Sequence, residues 1–281
     1  MAHAYLVMNS ASVLQKSKSN FALAFVGLAK PQRKALEAVY AYCRIVDDIA
    51  DESETIEQAH AGLLEWRNAF FHWPDFSLGL PSQVAKDLSW AVQHFPIHQS
   101  DLMWILEGVE GDLIRTRYET MEELLKYCDA VASAVGFCCT SILGVDHARA
   151  SEYAFATGRA LQLTNILRDI ASDALRDRVY IPRKFLAQFG LTDQDLLQSR
   201  YDESFLTMVE SLSKKIQEYY DLSEMAGKSL PMEKIWPTEV MRKTYYSIFQ
   251  KIKENKYDVY SGKVKISKAK KVWIALSQSR S

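Results

Sequence analysis

Apolar residues recur at helical spacing along most of the chain, and the stretch between Pro96 and Pro182 holds neither a proline nor an alternating strand pattern. Leu36, Val39, Tyr40, Cys43, Val46 and Ile49 trace one such stripe, which Pro31 suits as a first-turn residue and which runs to about Asp51. Thr55-Ile-Glu-Gln58 has capping-box spacing, so the next helix is predicted at 56–73, ended by Trp73-Pro74. Helices are predicted at roughly 82–95, 98–116, 120–143, 148–174, 203–228 and 233–255. A short apolar helix is expected at Phe21–Leu28 and weaker helical sequence at 183–198. Ile266, Ala269, Trp273 and Leu276 predict a last amphipathic helix. The expected fold class is all-α, a single domain over 1–281 without repeats or linkers.

Composition agrees with a soluble globular chain: 281 residues, 48% hydrophobic, 25% charged, with few Gly and Pro. The uncharged run Ala130–Val145 is too short to span a bilayer and reads as a core helix. No signal peptide is visible, and four cysteines without C-x-x-C spacing read as reduced thiols, so a cytoplasmic location is expected. The six histidines show no metal-ligand spacing and read as structural or surface residues. The net charge of −1 hides an asymmetry: Arg242–Ser281 carries eleven Lys/Arg against Glu254 and Asp258. The basic segment Lys263–Lys271, with Val272, Trp273 and Ile274, is either a docked helix with a wet lysine face or a peripheral contact for anionic lipid. Nucleic acid is not among the expected partners.

Two acidic clusters change the picture. Asp47 and Asp51 are four residues apart, and Asn165, Asp169 and Asp173 repeat that spacing twice, so each set shares one helix face. Like charges so placed repel, and the first set lies near a helix C-terminus, the wrong end of the macrodipole for anions. A cation is therefore expected, and hydrated Mg²⁺ bridging carboxylates and a diphosphate fits that donor set. Asp48 and Glu52 are displaced around the helix and are weaker candidates. Taken alone, the first cluster equally describes a solvated helix end, Arg44 an ordinary partner of Asp47 or Asp48, and Tyr127 and Tyr245 core tyrosines.

The strings Tyr40-x-x-x-Arg44-x-x-Asp47-Asp48-x-x-Asp51 and Gly158-Arg-Ala-Leu-Gln162-Leu-Thr-Asn165-Ile-Leu-Arg168-Asp169 resemble the squalene/phytoene synthase family, the head-to-head isoprenyl synthases. The likeness continues through Arg178-Val-Tyr-Ile-Pro182 and spans about residues 15–277; Asp112, Arg117-Tyr118 and Tyr127-Cys128 also look familial. It implies an isoprenoid-synthase helical bundle with a central cavity. It implies that Asp47, Asp51, Asn165, Asp169 and Asp173 hold two or three Mg²⁺ ions. Arg44, Arg168 and Arg178 would bind diphosphate, and Ser17, Lys18, Ser19, Asn20, Phe21, Tyr40, Gln162 and Tyr245 would complete the substrate sites. Tyr127 would position the leaving group or assist proton loss, alongside Arg44 and Arg168 as catalytic groups; the released diphosphate is an equally good base.

The implied reaction is Mg²⁺-dependent head-to-head condensation of two farnesyl diphosphates to presqualene diphosphate, the bacterial hopanoid-pathway members being most alike. Alternatives are phytoene synthesis from two C20 diphosphates, squalene synthesis with NADPH, and a non-catalytic assembly factor on the same fold. Ser172 and Asp177 stand where the family often has Glu and Gly, and Asn20 where it often has Ser, departures expected to bear on metal loading and on the segment after the second cluster.

Overall fold

The structure, a computed structural model, describes residues 8–17, 24–262 and 264–278. Among these, thirteen α-helices and no strand are found. They are α1 (Ser10–Ser17), α2 (Lys30–Glu52), α3 (Ile56–Ala69), α4 (Gln83–His94), α5 (Gln99–Ile114), α6 (Met121–Cys128), α7 (Ala134–Ile142) and α8 (His147–Ala174). The rest are α9 (Arg183–Ala187), α10 (Asp193–Leu197), α11 (Glu203–Gly227), α12 (Met232–Glu254) and α13 (Lys268–Gln278).

Several helices open on a side-chain cap. Thr55 accepts from the Gln58 amide at 3.2 Å to open α3, and Asp146 accepts from the Arg149 amide at 3.0 Å to open α8. The predicted helix 56–73 stops short: α3 ends at Ala69 and a 3-10 turn, Phe70–His72, leads to a cis Trp73-Pro74 bond. The weak 183–198 segment resolves into α9 and α10. Of the predicted helix Phe21–Leu28, the first residues lie outside the described chain; Ala24 is helical and 25–27 turn, with Gly27 at φ +95°.

The stretch predicted as one helix at 120–143 is divided by a single π-helical turn, Asp129–Ser133, between α6 and α7. Close packing surrounds it. A Cβ on Gly158 of α8 would lie 2.5 Å from the backbone of Ser133, and one on Gly108 of α5 would lie 2.8 Å from the Ala130 Cβ. The widened turn is thus held between two helices that approach through glycines, and it carries Val131 and Ala132 on the wall of the central cavity.

Two apolar cores flank that cavity. One packs Leu36, Tyr42, Leu88 and Leu106 from α2, α4 and α5, and a buried hydrogen bond from the Tyr42 hydroxyl to the Leu102 carbonyl (2.9 Å) ties α2 to α5. The other packs Leu163, Phe205, Ile216 and Phe249 from α8, α11 and α12, with Thr164 and Tyr220 hydroxyls 3.0 Å apart between α8 and α11. Tyr245 of α12 packs against both. The basic tail differs from expectation in its face: α13 buries Ile274, while Trp273 and Leu276 are 63% and 54% exposed. Lys270 lies over the Trp273 ring at 5.0 Å.

Candidate active site

The α2 and α8 helices bring the two acidic clusters to one cavity of about 630 Å³. Asp47 and Asp51 line it from α2, and Asn165, Asp169 and Asp173 from α8. Tyr40, Arg44, Tyr127, Gln162, Arg168, Arg178 and Tyr245 line it too, so every site residue named from the sequence within the described side chains reaches the same space. Ser17 ends α1, its side chain undescribed, and Lys18, Ser19, Asn20 and Phe21 lie outside the described residues.

The acidic end is electrically tight. Burial pushes Asp47 up to about 6, Asp51 beside it adds to the rise and Arg44 opposes it. Burial also lifts Asp173 to about 7, with Asp169 adding and Arg178 and Arg176 opposing. Those two arginines arrive on the segment after α8. Arg176 meets Asp51 at 2.8 Å and Arg178 meets its other oxygen at 2.6 Å, so Asp51 is bridged across from α2. Asp177 between them has φ +53°, the left-handed conformation that explains why glycine suits this position. Here an aspartate adopts it and pairs with Arg117 at 2.5 Å, while the Val179 amide donates to the Thr116 carbonyl at 3.0 Å. Both contacts anchor the segment.

Some bland pairings occur within the site. Arg44 reaches Asp47 at 3.2 Å and also pairs with Asp48, which is buried and does not line the cavity. Arg168 holds both oxygens of Asp169. The residues that the sequence did not assign are Asp112, Tyr180 and Arg176. Asp112 on α5 accepts from the Tyr127 hydroxyl at 2.8 Å and from that of Tyr180 at 3.4 Å. Burial drives it to about 7, against the Tyr127 hydrogen bond and Arg178. Asp112 has no acidic neighbour at helical spacing on its own face; its only signals are the familial string around it and, for Tyr180, the Arg178–Pro182 string.

The donor set fits a hard divalent ion. Four carboxylates and an amide face one cavity, and the buried Oδ1 of Asn165 accepts no hydrogen bond among the described residues while its amide donates to Gln162 at 3.3 Å. Away from the acidic faces the cavity is lined by the apolar side chains of Phe25, Leu36, Val39, Ile105, Val109, Val131 and Val135. Cys43 and Cys139 also line it; burial pushes both thiols up, Cys139 to about 12, so the wall presents neutral thiols and no thiolate.

Residues 14–270 match the squalene/phytoene synthase family. The chain belongs to that family. Its members are prenyltransferases, as this chain therefore is, and generally Mg²⁺-dependent. A presqualene diphosphate synthase from Rhodopseudomonas palustris is 34% identical over 92% of both chains. Phytoene synthase 1 of Solanum lycopersicum is 30% identical over 90% of this chain, which spans 62% of that longer protein. Among solved structures, a dehydrosqualene synthase in complex with a ligand superposes with a TM-score of 0.85 at 27% identity, covering 96% of this chain and 94% of the other.

Proposed function

We propose that this squalene/phytoene synthase family member condenses two farnesyl diphosphates head to head into presqualene diphosphate. The observation that carries it is the union of the two acidic faces on one cavity that also has an apolar lining, in a chain 34% identical to a presqualene diphosphate synthase. Asp47, Asp51, Asn165, Asp169 and Asp173 would hold two or three Mg²⁺ ions. Bound there, Mg²⁺ supplies Lewis acidity toward diphosphate oxygens. The protein's own groups do the rest. Arg44, Arg168 and Arg178 offer guanidinium forks to the diphosphates, and Arg176 adds a fourth cation at the mouth. Gln162, Tyr40 and Tyr245 line the same cavity, and the Ser17–Phe21 segment completes the substrate sites.

The C–O bond of one substrate breaks and its diphosphate leaves with the electron pair. The C2=C3 double bond of the second attacks the allylic cation, and loss of one proton closes the cyclopropane. The apolar wall keeps water and nucleophiles from the cation. Tyr127 has its hydroxyl proton committed to Asp112, so it positions the leaving group and the freed diphosphate takes the proton. The reaction stops before any reduction, so NADPH is not consumed. The basic α13 surface, with Trp273 exposed beside Lys270, meets anionic lipid peripherally, where an apolar product would be delivered. Among the described residues no helix is long and apolar enough to cross a membrane.

The deciding experiment incubates the protein with Mg²⁺ and farnesyl or geranylgeranyl diphosphate, with and without NADPH, and identifies products by mass. Presqualene diphosphate from the C15 substrate, unchanged by NADPH, is expected. Phytoene from the C20 substrate with no C15 turnover would transfer the chain to the phytoene branch, and no diphosphate release from either would leave a non-catalytic relative.

A further inference from the structure

Outside the acidic cavity, three metal-ligating side chains converge from distant parts of the sequence. His98 directly precedes α5, Asp101 lies in its first turn, and His147 is the first residue of α8. Each offers one ligand atom, and these atoms lie within 4.8 Å of one another. We propose that His98, Asp101 and His147 form a second metal site, for a divalent ion of the Zn²⁺ class.

The chemistry of the donor set supports that class. Two imidazoles and one carboxylate are borderline ligands that suit Zn²⁺, Co²⁺ or Ni²⁺ far better than Mg²⁺. The geometry is partly built. A tetrahedral ion with bonds of about 2.0–2.1 Å separates its ligand atoms by roughly 3.3 Å. His147 Nε2 already stands 3.1 and 3.3 Å from the two Asp101 oxygens. The His147 ring is held between Phe137 and His98, each stacked on it at 4.3 Å, so its orientation is set by packing. His98 is exposed, and closing the third edge requires its ring to leave the stack on His147 while Phe137 still holds that ring; the His147 side chain is 31% exposed, which leaves solvent access for entry and for a water ligand.

Electrostatics supply the motive. The Asp101 carboxylate is 5% exposed, and His147 is its one hydrogen-bonding side chain among the described residues. A buried carboxylate that meets one imidazole and the partial positive charge of helix starts has no full cation fixed beside it, and a divalent ion would supply one. The two helix N-termini meeting here oppose a cation; Asp101 and the Asp146 cap of α8 offset them. The site is separate from the acidic one. Asp101 and Asp112 are about 16 Å apart along α5, and His147 and Asn165 about 27 Å apart along α8. An ion at this point would clasp the starts of two helices that line the cavity.

Cobalt is the probe. Chelator-stripped protein is saturated with Mg²⁺ to occupy the acidic site, then titrated with Co²⁺ while visible absorbance and bound metal are read. One Co²⁺ per chain is expected, with the strong visible bands of four- or five-fold coordination, displaced by one equivalent of Zn²⁺. His98→Ala and His147→Ala, checked for helicity, should each weaken binding by more than about tenfold. Asp101→Asn, which keeps size and a hydrogen-bonding oxygen for His147, should do the same, and Asp169→Ala should leave Co²⁺ binding intact. Wild-type protein without the visible bands would overturn the proposal. So would binding that survives both histidine substitutions, or binding that Asp169→Ala abolishes while the histidine variants retain it.

Discussion

Asp51 and Asp169 stand at opposite walls of the cavity, one bridged by Arg176 and Arg178, the other clamped by Arg168. On the proposed assignment Asp51→Ala and Asp169→Ala each lower turnover by at least about a hundredfold while circular dichroism stays helical. Steady-state release of diphosphate measures it, and normal rates in both would refute the metal assignment. Tyr127→Phe removes only a positioning contact, so its loss should be nearer tenfold. The buried acids also set a pH dependence. Asp47, Asp112 and Asp173 are raised to about 6, 7 and 7, so the folded chain holds these protons more tightly than the unfolded chain does. The stability they contribute is present at acid pH and is lost as pH climbs through 6 to 7. In chelator, the melting temperature should fall by a few degrees between pH 5.5 and 8, and Asp112→Asn should flatten that slope. Mg²⁺ added with inorganic diphosphate should recover the loss at pH 8 and do little at pH 5.5. A chelated protein that melts higher at pH 8 would contradict the sign.

Residues on one helix face were the legible part of the site, because spacing alone puts Asp47 with Asp51 and Asn165 with Asp169 and Asp173. Asp112 and Tyr180 were not, since nothing local shows that α5 and the segment after α8 meet at Tyr127. The His98–Asp101–His147 group was hidden for the same reason: its two histidines are far apart in sequence, and the expectation of structural or surface histidines came from spacing only.

At the scale of elements, Pro31 and the Thr55 cap marked the starts of α2 and α3. They did not reveal the π turn at Asp129–Ser133, whose close neighbours Gly108 and Gly158 lie on other helices. Gly158→Ala places a methyl against the Ser133 backbone, which has no side-chain freedom to yield. It should cost about 1–3 kcal/mol and lower the melting temperature by several degrees, read by thermal denaturation. The face of α13 also escaped the sequence. Periodicity pointed Trp273 and Leu276 inward, yet Ile274 alone fills the buried position and Trp273 stays in solvent. If that surface meets lipid, replacing Lys263, Lys265, Lys268, Lys270 and Lys271 by Ser should reduce binding to anionic liposomes severalfold, with neutral liposomes unaffected. Equal sedimentation of both proteins with anionic liposomes would remove the membrane role.

For the whole molecule, the bundle divides labour within one cavity: charge on the acidic faces, apolar wall and neutral thiols away from them. The bridge from Arg176 and Arg178 to Asp51 gives that arrangement a thermodynamic character. On the proposed assignment Arg176 and Arg178 compete with the metal for Asp51, so the acidic pair should be a poor chelator of free Mg²⁺. A diphosphate entering the mouth would offer those arginines a better partner and would release Asp51 for the metal that travels with it. Metal and diphosphate therefore strengthen each other's binding by the same factor, whichever arrives first. Calorimetry should find weak Mg²⁺ binding alone and much tighter binding with inorganic diphosphate present. Arg178→Ala should compress that difference from both sides, tightening free Mg²⁺ and loosening diphosphate. On that assignment the arginine bridge, static in outline, would act as an exchange counter-ion that couples loading of the metal to the presence of something to ionise.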